Sequence, residues 1–218
     1  METKETAVEK VDVVVVGGGP AGATAATDLA RQGLHVVLLE RGGRIKPCGG
    51  AIPPKLIEEF AIPEELLVAR VRSARMVSPS DKTVDMPING GFVGMVDRDV
   101  FDPWLRDRAK AVGADVRTGA FAAIERTGDG QVIVRYAVRQ ETGESTQVAL
   151  KAKAVVGADG AKSRVARQAM PDVEQVPWVA AYHEIVETPK DSGADDFDPQ
   201  RCDVWYQGKL SPDFYAWV

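Results

Sequence analysis

Residues 12–16 read Asp-Val-Val-Val-Val, a continuous β-branched run that predicts a strand buried on both faces. The pattern then changes to a helical one over 20–32. Pro20 stands near its start, small alanines line one face, and Gly33 occupies the position just past its end. Residues 34–40 form a second apolar run that ends at Glu40. Strand, helix and strand in this order predict a right-handed parallel crossover.

Further along, 99–112 predicts an amphipathic helix. Phe101, Trp104, Leu105, Ala109 and Val112 fall on one stripe, Gly113 stops the helix, and Asp97 or Asp99 can cap its first turn. Strands are predicted near 116–126, 131–139 and 145–151. The turns between them carry Gly128-Asp129-Gly130 and Thr142-Gly143-Glu144, so the three form a β-meander. Residues 154–158 predict one more apolar strand, closed by Asp159-Gly160. The stretches 71–96 and beyond 170 are richer in proline and irregular. They are expected to form parts of one second layer. The expected fold class is α/β: a Rossmann-like nucleotide-binding domain from 1–75 and 97–169, interleaved with a partial, mostly β domain from 76–96 and 170–218.

Composition narrows the class. The 218 residues are 44% hydrophobic and 27% charged, the mixture of a globular protein able to bury a core. The formal charge of −5 offers no basic footprint for nucleic acid. No apolar run approaches the ~18 residues that span a bilayer, so any membrane contact is expected to be peripheral. The first ten residues have neither the apolar core of a secretory signal nor the arginine-rich character of a transit peptide. Cys48 and Cys202 are too few for a disulfide framework, which points to a reducing cytoplasm. No grouping of His, Cys, Asp or Glu marks a metal site.

Gly17-Gly18-Gly19-Pro20-Ala21-Gly22 is a G-x-G-x-x-G turn between the first strand and its helix. Gly17 allows the tight turn, Gly19 lets a pyrophosphate approach the backbone, and Gly22 lets helix and strand pack closely. The helix start at Pro20 and Ala21 offers free N–H groups and partial positive charge to phosphates. Glu40 ends the second strand, where its carboxylate can accept hydrogen bonds from both ribose hydroxyls, and Arg41 beside it joins the cofactor-binding set. A carboxylate there repels a 2′-phosphate, so this unit should reject NADP and accept FAD or NAD.

The segment Val155-Val156-Gly157-Ala158-Asp159-Gly160-Ala161-Lys162-Ser163 resembles the Asp-Gly motif of flavoproteins in the para-hydroxybenzoate hydroxylase superfamily. The resemblance implies FAD, with Asp159 and Gly160 near the flavin, and Arg98 matches an arginine that contacts the flavin region there. Taken without the resemblance, Asp159-Gly160 reads as an ordinary turn and Arg98 as a solvated arginine at a helix start.

A more specific likeness runs through Lys46-Pro47-Cys48-Gly49-Gly50-Ala51-Ile52-Pro53, Ser78-Pro79-Ser80, Gly91-Phe92-Val93-Gly94-Met95-Val96-Asp97-Arg98 and Ala181-Tyr182-His183-Glu184-Ile185. With the terminal Ser211-Pro212-Asp213-Phe214-Tyr215-Ala216-Trp217-Val218, these segments resemble the geranylgeranyl reductase family, chiefly its chlorophyll and bacteriochlorophyll branch. The terminal segment is similar to the opening of that family's P-x-x-Y-x-W-x-F-P motif and stops before its Phe-Pro, so the chain looks like an N-terminal portion. The implied reaction is stepwise saturation of isolated double bonds in a geranylgeranyl chain to phytyl, with NADPH as electron source. The implied substrate is a prenyl diphosphate or a geranylgeranylated (bacterio)chlorophyll, and a cytoplasmic protein peripheral to the photosynthetic membrane fits it.

An isolated trisubstituted alkene has no carbonyl to take charge. Its reduction calls for a proton on the less substituted carbon, hydride from reduced flavin on the tertiary centre, a dry tunnel, and aromatic faces that stabilise positive charge. Tyr215 and Trp217, two apart on a strand, share a face and either line that tunnel or fill a sheet core. The resemblance places the Cys48-Gly49-Gly50 loop near the flavin, with Cys48 as a candidate catalytic residue; a buried inert thiol is its plainer reading. His183 and Glu184 are titratable but read as structural. Two rivals remain at this point, an aromatic-ring flavin monooxygenase and a non-catalytic nucleotide-binding module.

Overall fold

The computed structural model describes residues 8–43, 48–173, 176–187 and 197–218; Lys46 and Pro47 of the cysteine motif lie outside them. In chain order the elements begin β1 (Glu9–Val16), α1 (Pro20–Arg31), β2 (Val36–Glu40), β3 (Ala51–Ile52) and α2 (Pro54–Glu59). After a 3-10 turn at Glu64–Leu66 come β4 (Leu67–Val71), β5 (Ser73–Val77), β6 (Thr83–Pro87), β7 (Val93–Val96) and α3 (Arg98–Ala111). The rest are β8 (Asp115–Thr118), β9 (Ala120–Arg126), β10 (Val132–Arg139), β11 (Ser145–Gly157), α4 (Arg164–Ala169), β12 (Arg201–Trp205) and β13 (Ala216–Trp217). The described residues group into two compact units, one within Met1–Arg44 and Asp102–Trp178, the other within Ile45–Phe101 and Val179–Val218. The grouping differs from the expected division at residues 97–101, Arg98 among them, at 170–178, and at 48–75, where β3 and β4 both pair with β7.

The first unit is built on a six-stranded sheet in the order β8-β2-β1-β11-β10-β9. β8, β2, β1 and β11 run parallel, and β10 and β9 continue antiparallel as a meander. The apolar runs of β1 and β2 lie in the middle, as their continuous hydrophobicity requires, and Val14, Val15, Val36, Val37 and Leu38 are fully buried. Gly22, Ala23, Ala26, Thr27 and Ala30 are the buried face of α1, a set of small residues that allows a close approach. Val16, Leu39, Phe121, Val134, Tyr136 and Leu150 belong to one hydrophobic cluster with Val165 of α4.

Two strand predictions are corrected. The single strand expected at 116–126 is two strands on opposite edges of the sheet, β8 beside β2 and β9 beside β10. The break falls at Gly119, where a side chain would stand 2.4 Å from Tyr136 Cδ2 and whose N–H donates to the Glu40 carbonyl at 2.8 Å. Conversely, the strands expected at 145–151 and 154–158 are one, β11. It pairs with β10 over its first part and with β1 over its second, and Leu150, Lys151 and Ala152 pair with both. No turn residue interrupts Leu150–Lys153, so nothing stops the strand there.

In the second unit, β3-β7-β4 form an antiparallel sheet and β13-β12-β5-β6 form another. The latter joins β5 and β6 to β12 and β13 through the parallel pair β12–β5, so parts of 71–96 and of the region beyond 170 share one sheet as expected, while β7 belongs to the other sheet. Cross-strand partners share a face. One face therefore carries the row Trp217, Val204, Met76 and Val84, and the other carries Asp203, Arg75 and Asp85.

Candidate cofactor site

The turn between β1 and α1 is held from three directions. Gly17 N–H donates to the Leu39 carbonyl at 2.8 Å, and Ala158 N–H donates to the Val16 carbonyl at 2.8 Å. Gly17 sits at φ +104°, and a Cβ on it would lie 2.4 Å from the Ala158 carbonyl oxygen and 3.0 Å from Asp159 Cα. The glycine turn and the Asp159-Gly160 turn, 142 residues apart in sequence (159 − 17), thus meet at the ends of neighbouring strands. A Cβ on Gly22 would stand 1.8 Å from the Gly17 carbonyl oxygen, so the helix reaches this turn because position 22 has no side chain.

Gly19 is the residue before α1, in extended backbone, and its carbonyl accepts the first helical hydrogen bond, from Ala23 N–H at 2.9 Å. Pro20 has no N–H, and helix geometry gives those of Ala21 and Gly22 no intrahelical acceptor. These donors, the dipole of a twelve-residue helix and the bare glycine turn fit a pyrophosphate. Glu40 stands beside them. Its Oε2 accepts from Gly18 N–H at 2.7 Å and its Oε1 from Gly42 N–H at 3.2 Å. Each oxygen keeps a second lone pair for a ribose hydroxyl. Arg41 is exposed next to it.

Two residues here escape the motif reading. Gly18 occupies a position the motif leaves free, yet a Cβ on it would lie 2.8 Å from Glu40 Cβ and 2.9 Å from Arg106 Cδ. Arg106 of α3 donates from Nη1 to the Gly18 carbonyl at 3.0 Å. The glycine at a free position was a sequence signal for close packing, but nothing in the sequence named Arg106 as its partner.

Asp159 is placed against the glycine turn, but its carboxylate faces the start of α4. It accepts from Ser163 Oγ, from Arg164 N–H at 2.6 Å and from Val165 N–H at 3.3 Å. Gly160 follows at φ +85°, with open space where a side chain would be.

The remaining candidates lie in the second unit. Gly50, at φ +69°, is locked on β7: its carbonyl accepts from Val96 N–H at 3.0 Å and a Cβ would stand 2.1 Å from the Val96 oxygen. Gly49 is bare against Trp217, whose Nε1 lies 3.6 Å from the position of a Cβ. The Trp217 ring meets His183 edge-on at 4.7 Å and Tyr215 at 5.4 Å. The cysteine loop, the Ala-Tyr-His segment and the terminal aromatic motif, three separate carriers of the family likeness, are therefore neighbours. Cys48 is a half-buried free thiol at the head of this loop. Cys202 is also free, and burial pushes its thiol pKa up, as in an inert structural cysteine. Arg98 opens α3 directly after Asp97, which caps the helix by accepting from Asp99 N–H at 3.0 Å.

A profile of the family described as pyridine nucleotide-disulphide oxidoreductase matches residues 11–188. The chain is 54% identical over 209 residues to a geranylgeranyl diphosphate reductase of Rhodobacter capsulatus, covering 96% of this chain and 51% of that protein. The chain spans about half the length of the curated relatives it matches. Among solved structures, a geranylgeranyl bacteriochlorophyll reductase-like protein from Thermoplasma acidophilum superposes with a TM-score of 0.75 at 26% identity, covering 97% of this chain and 53% of that one. A myxobacterial FAD-dependent chondrochloren halogenase superposes with a TM-score of 0.57 at 28% identity, covering 72% and 38%.

Proposed function

Since the chain belongs to the pyridine nucleotide-disulphide oxidoreductase family, we propose that it binds FAD and serves an NADPH-consuming reductase that saturates isolated double bonds of a geranylgeranyl chain. The observation that carries the reading is the packing of Gly49, beside Cys48, against Trp217. The segments that set geranylgeranyl reductases apart from other flavoproteins converge at that contact.

The first unit holds the adenosine and pyrophosphate half of the cofactor in this reading. Gly17, Gly19 and Gly22 admit the pyrophosphate, Pro20 and Ala21 begin the helix that faces it, and Glu40 accepts from the ribose hydroxyls while its charge disfavours a 2′-phosphate. Asp159-Gly160 borders the turn, and Arg98 with Cys48-Gly49-Gly50 serves the flavin end. When bound, FAD supplies the two-electron hydride chemistry that side chains lack.

The substrate side needs a largely apolar surface. Trp217, Val204, Met76 and Val84 offer one across four strands. Tyr215 and Trp217 add ring faces suited to positive charge at an alkene carbon. The substrate is then a geranylgeranyl chain carried as the diphosphate or esterified to a (bacterio)chlorophyll. The pigment form calls for peripheral contact with a membrane; no helix among the described residues is long and apolar enough to cross one.

The test is incubation of the purified full-length protein with FAD, NADPH and each prenyl substrate under anaerobic conditions, with mass spectrometry of the released alcohol. Mass gains in steps of two hydrogens support the reading. Unchanged prenyl chains, with a hydroxylated product in a parallel aerobic incubation with NADPH and an aromatic substrate, would replace it with a monooxygenase.

A further inference from the structure

The peptides on either side of Gly18 are oriented by two side chains of opposite charge. Its N–H donates to Glu40 Oε2 at 2.7 Å, and its carbonyl accepts from Arg106 Nη1 at 3.0 Å. We propose that Arg106 is a positioning residue for the adenosine half of FAD, fixing the glycine turn in its binding conformation before the nucleotide arrives. The proposal rests on the FAD reading above.

Three consecutive glycines are the most freely rotating backbone a chain can have, and such a turn would sample many conformations if left to itself. A trans peptide is planar, with its carbonyl and N–H on opposite sides. Holding the Gly18 carbonyl at Arg106 therefore sends the Gly19 N–H away from Arg106. The Gly19 N–H is one of the donors at the start of α1. Glu40 fixes the preceding peptide in the same way. Arg106 thus acts on the phosphate-facing donors through the backbone, without touching the nucleotide.

Packing agrees with the hydrogen bonds. Glu40 Oε2 and Arg106 Cδ both lie within 3.0 Å of the point where a Gly18 Cβ would stand, so both side chains close on the bare Cα of that residue. Arg106 follows the buried Leu105 on α3, which also buries Phe101 and Ala109, and this places its long stem on an anchored helix. The cation beside Glu40 also offsets a negative charge that would otherwise oppose a diphosphate.

The experiment measures FAD dissociation constants of full-length apoprotein by flavin fluorescence, together with apoprotein melting temperatures. Arg106→Met keeps the stem and removes the donors; Arg106→Lys restores a charged donor. We expect Arg106→Met to weaken FAD binding about tenfold or more, the scale of a charge-assisted hydrogen bond. Its apoprotein melting temperature should stay near wild type, and Arg106→Lys should recover most of the affinity. If Arg106→Met does not fold, Arg106→Gln, too short to reach the carbonyl, is measured instead with the same expectation. Undiminished FAD binding by the donor-less variant overturns the proposal, as does an Arg106→Lys protein no better than Arg106→Met. Wild-type protein that binds no FAD removes the cofactor reading itself, and the proposal with it.

Discussion

A Cβ on Gly22 would stand 1.8 Å from the carbonyl oxygen of Gly17, closer than any non-bonded carbon can approach. The contact joins the first turn of α1 to the end of β1, so the glycine spacing of the motif is a packing requirement before it is a ligand requirement. Gly22→Ala must push α1 away from the sheet. The expected cost is about 1–3 kcal/mol of stability, as for other overpacked cores, with FAD binding weakened as the helix start moves. Chemical unfolding and flavin titration of the same variant test both parts, and an unaltered unfolding midpoint would show that helix and strand do not meet as described.

Glu40 holds the Gly18 N–H, and in the proposed reading it also accepts from the ribose hydroxyls. Glu40→Ala removes both, and the expected loss of FAD affinity is about 1.5–3 kcal/mol, the range for a hydrogen bond to a charged group. Glu40→Gln keeps one acceptor and loses less. Equal affinity of wild type and Glu40→Ala in a titration would take the ribose away from this residue.

Cys48 heads the loop that packs on Trp217, and the turn proposed to hold the pyrophosphate is Gly17–Gly22, elsewhere in the chain. Cys48→Ala in the full-length protein should therefore retain FAD and its reduction by NADPH. What should change is the number of double bonds saturated per prenyl chain, because the smaller side chain loosens the space beside the loop. Mass spectrometry of the released alcohol counts the added hydrogens. A product distribution identical to wild type returns Cys48 to the role of a structural thiol, and loss of flavin places the loop in cofactor binding.

At the sheet edge, Arg117 of β8 donates to Glu9 of β1, to Asp115 and to the Tyr136 hydroxyl. The Arg117 hydrogen bond holds the Glu9 carboxyl below its ordinary value of 4.5. A depressed folded value means stability that is fully present above pH 4.5 and lost as pH falls through the folded value. With Glu9 and Asp115 side chains 43% and 42% exposed, solvent screens the gain. Arg117→Met should cost about 1 kcal/mol near neutrality. The difference from wild type should shrink on acidification, in urea unfolding at pH 7 and below pH 4.5. A gap that widens in acid would contradict the assigned direction.

What the sequence revealed and what it concealed follow from the range of the interactions. The βαβ unit was legible because β1 and β2 are continuous apolar runs and α1 is lined with alanine, all local signals. The split between β8 and β9 was not, because residues 120–124 continue as an apolar run after Gly119, and the partners that separate the two strands, β2 and Tyr136 of β10, are distant in sequence. The sheet of the second unit pairs Ser73 with Arg201, a partnership no periodicity encodes. Arg106 was missed for the same reason: its acceptor, Gly18, is 88 residues away.

Asp159 separates two explanations of the Asp-Gly motif. Its carboxylate accepts from Ser163 Oγ and from the N–H groups of Arg164 and Val165, while Ser163 Oγ accepts from Ala166 N–H at 2.9 Å. Two side chains thus satisfy the start of a six-residue helix that could not persist alone. Val165 is buried against Gly157, where a Cβ would stand 2.9 Å from Val165 Cγ1, so the start of α4 supports the end of β11 beside Gly17. Asp159→Ala should remove about 1–2 kcal/mol of stability, as loss of a helix cap does, and weaken FAD binding with it. Asp159→Asn keeps an oxygen for one backbone donor and should lie between the two. If the carboxylate instead met the cofactor directly, Asn and Ala would lose FAD alike while the apoprotein melted as wild type. Melting temperatures of the two apoproteins, read beside their FAD dissociation constants, decide between a helix cap and a flavin contact.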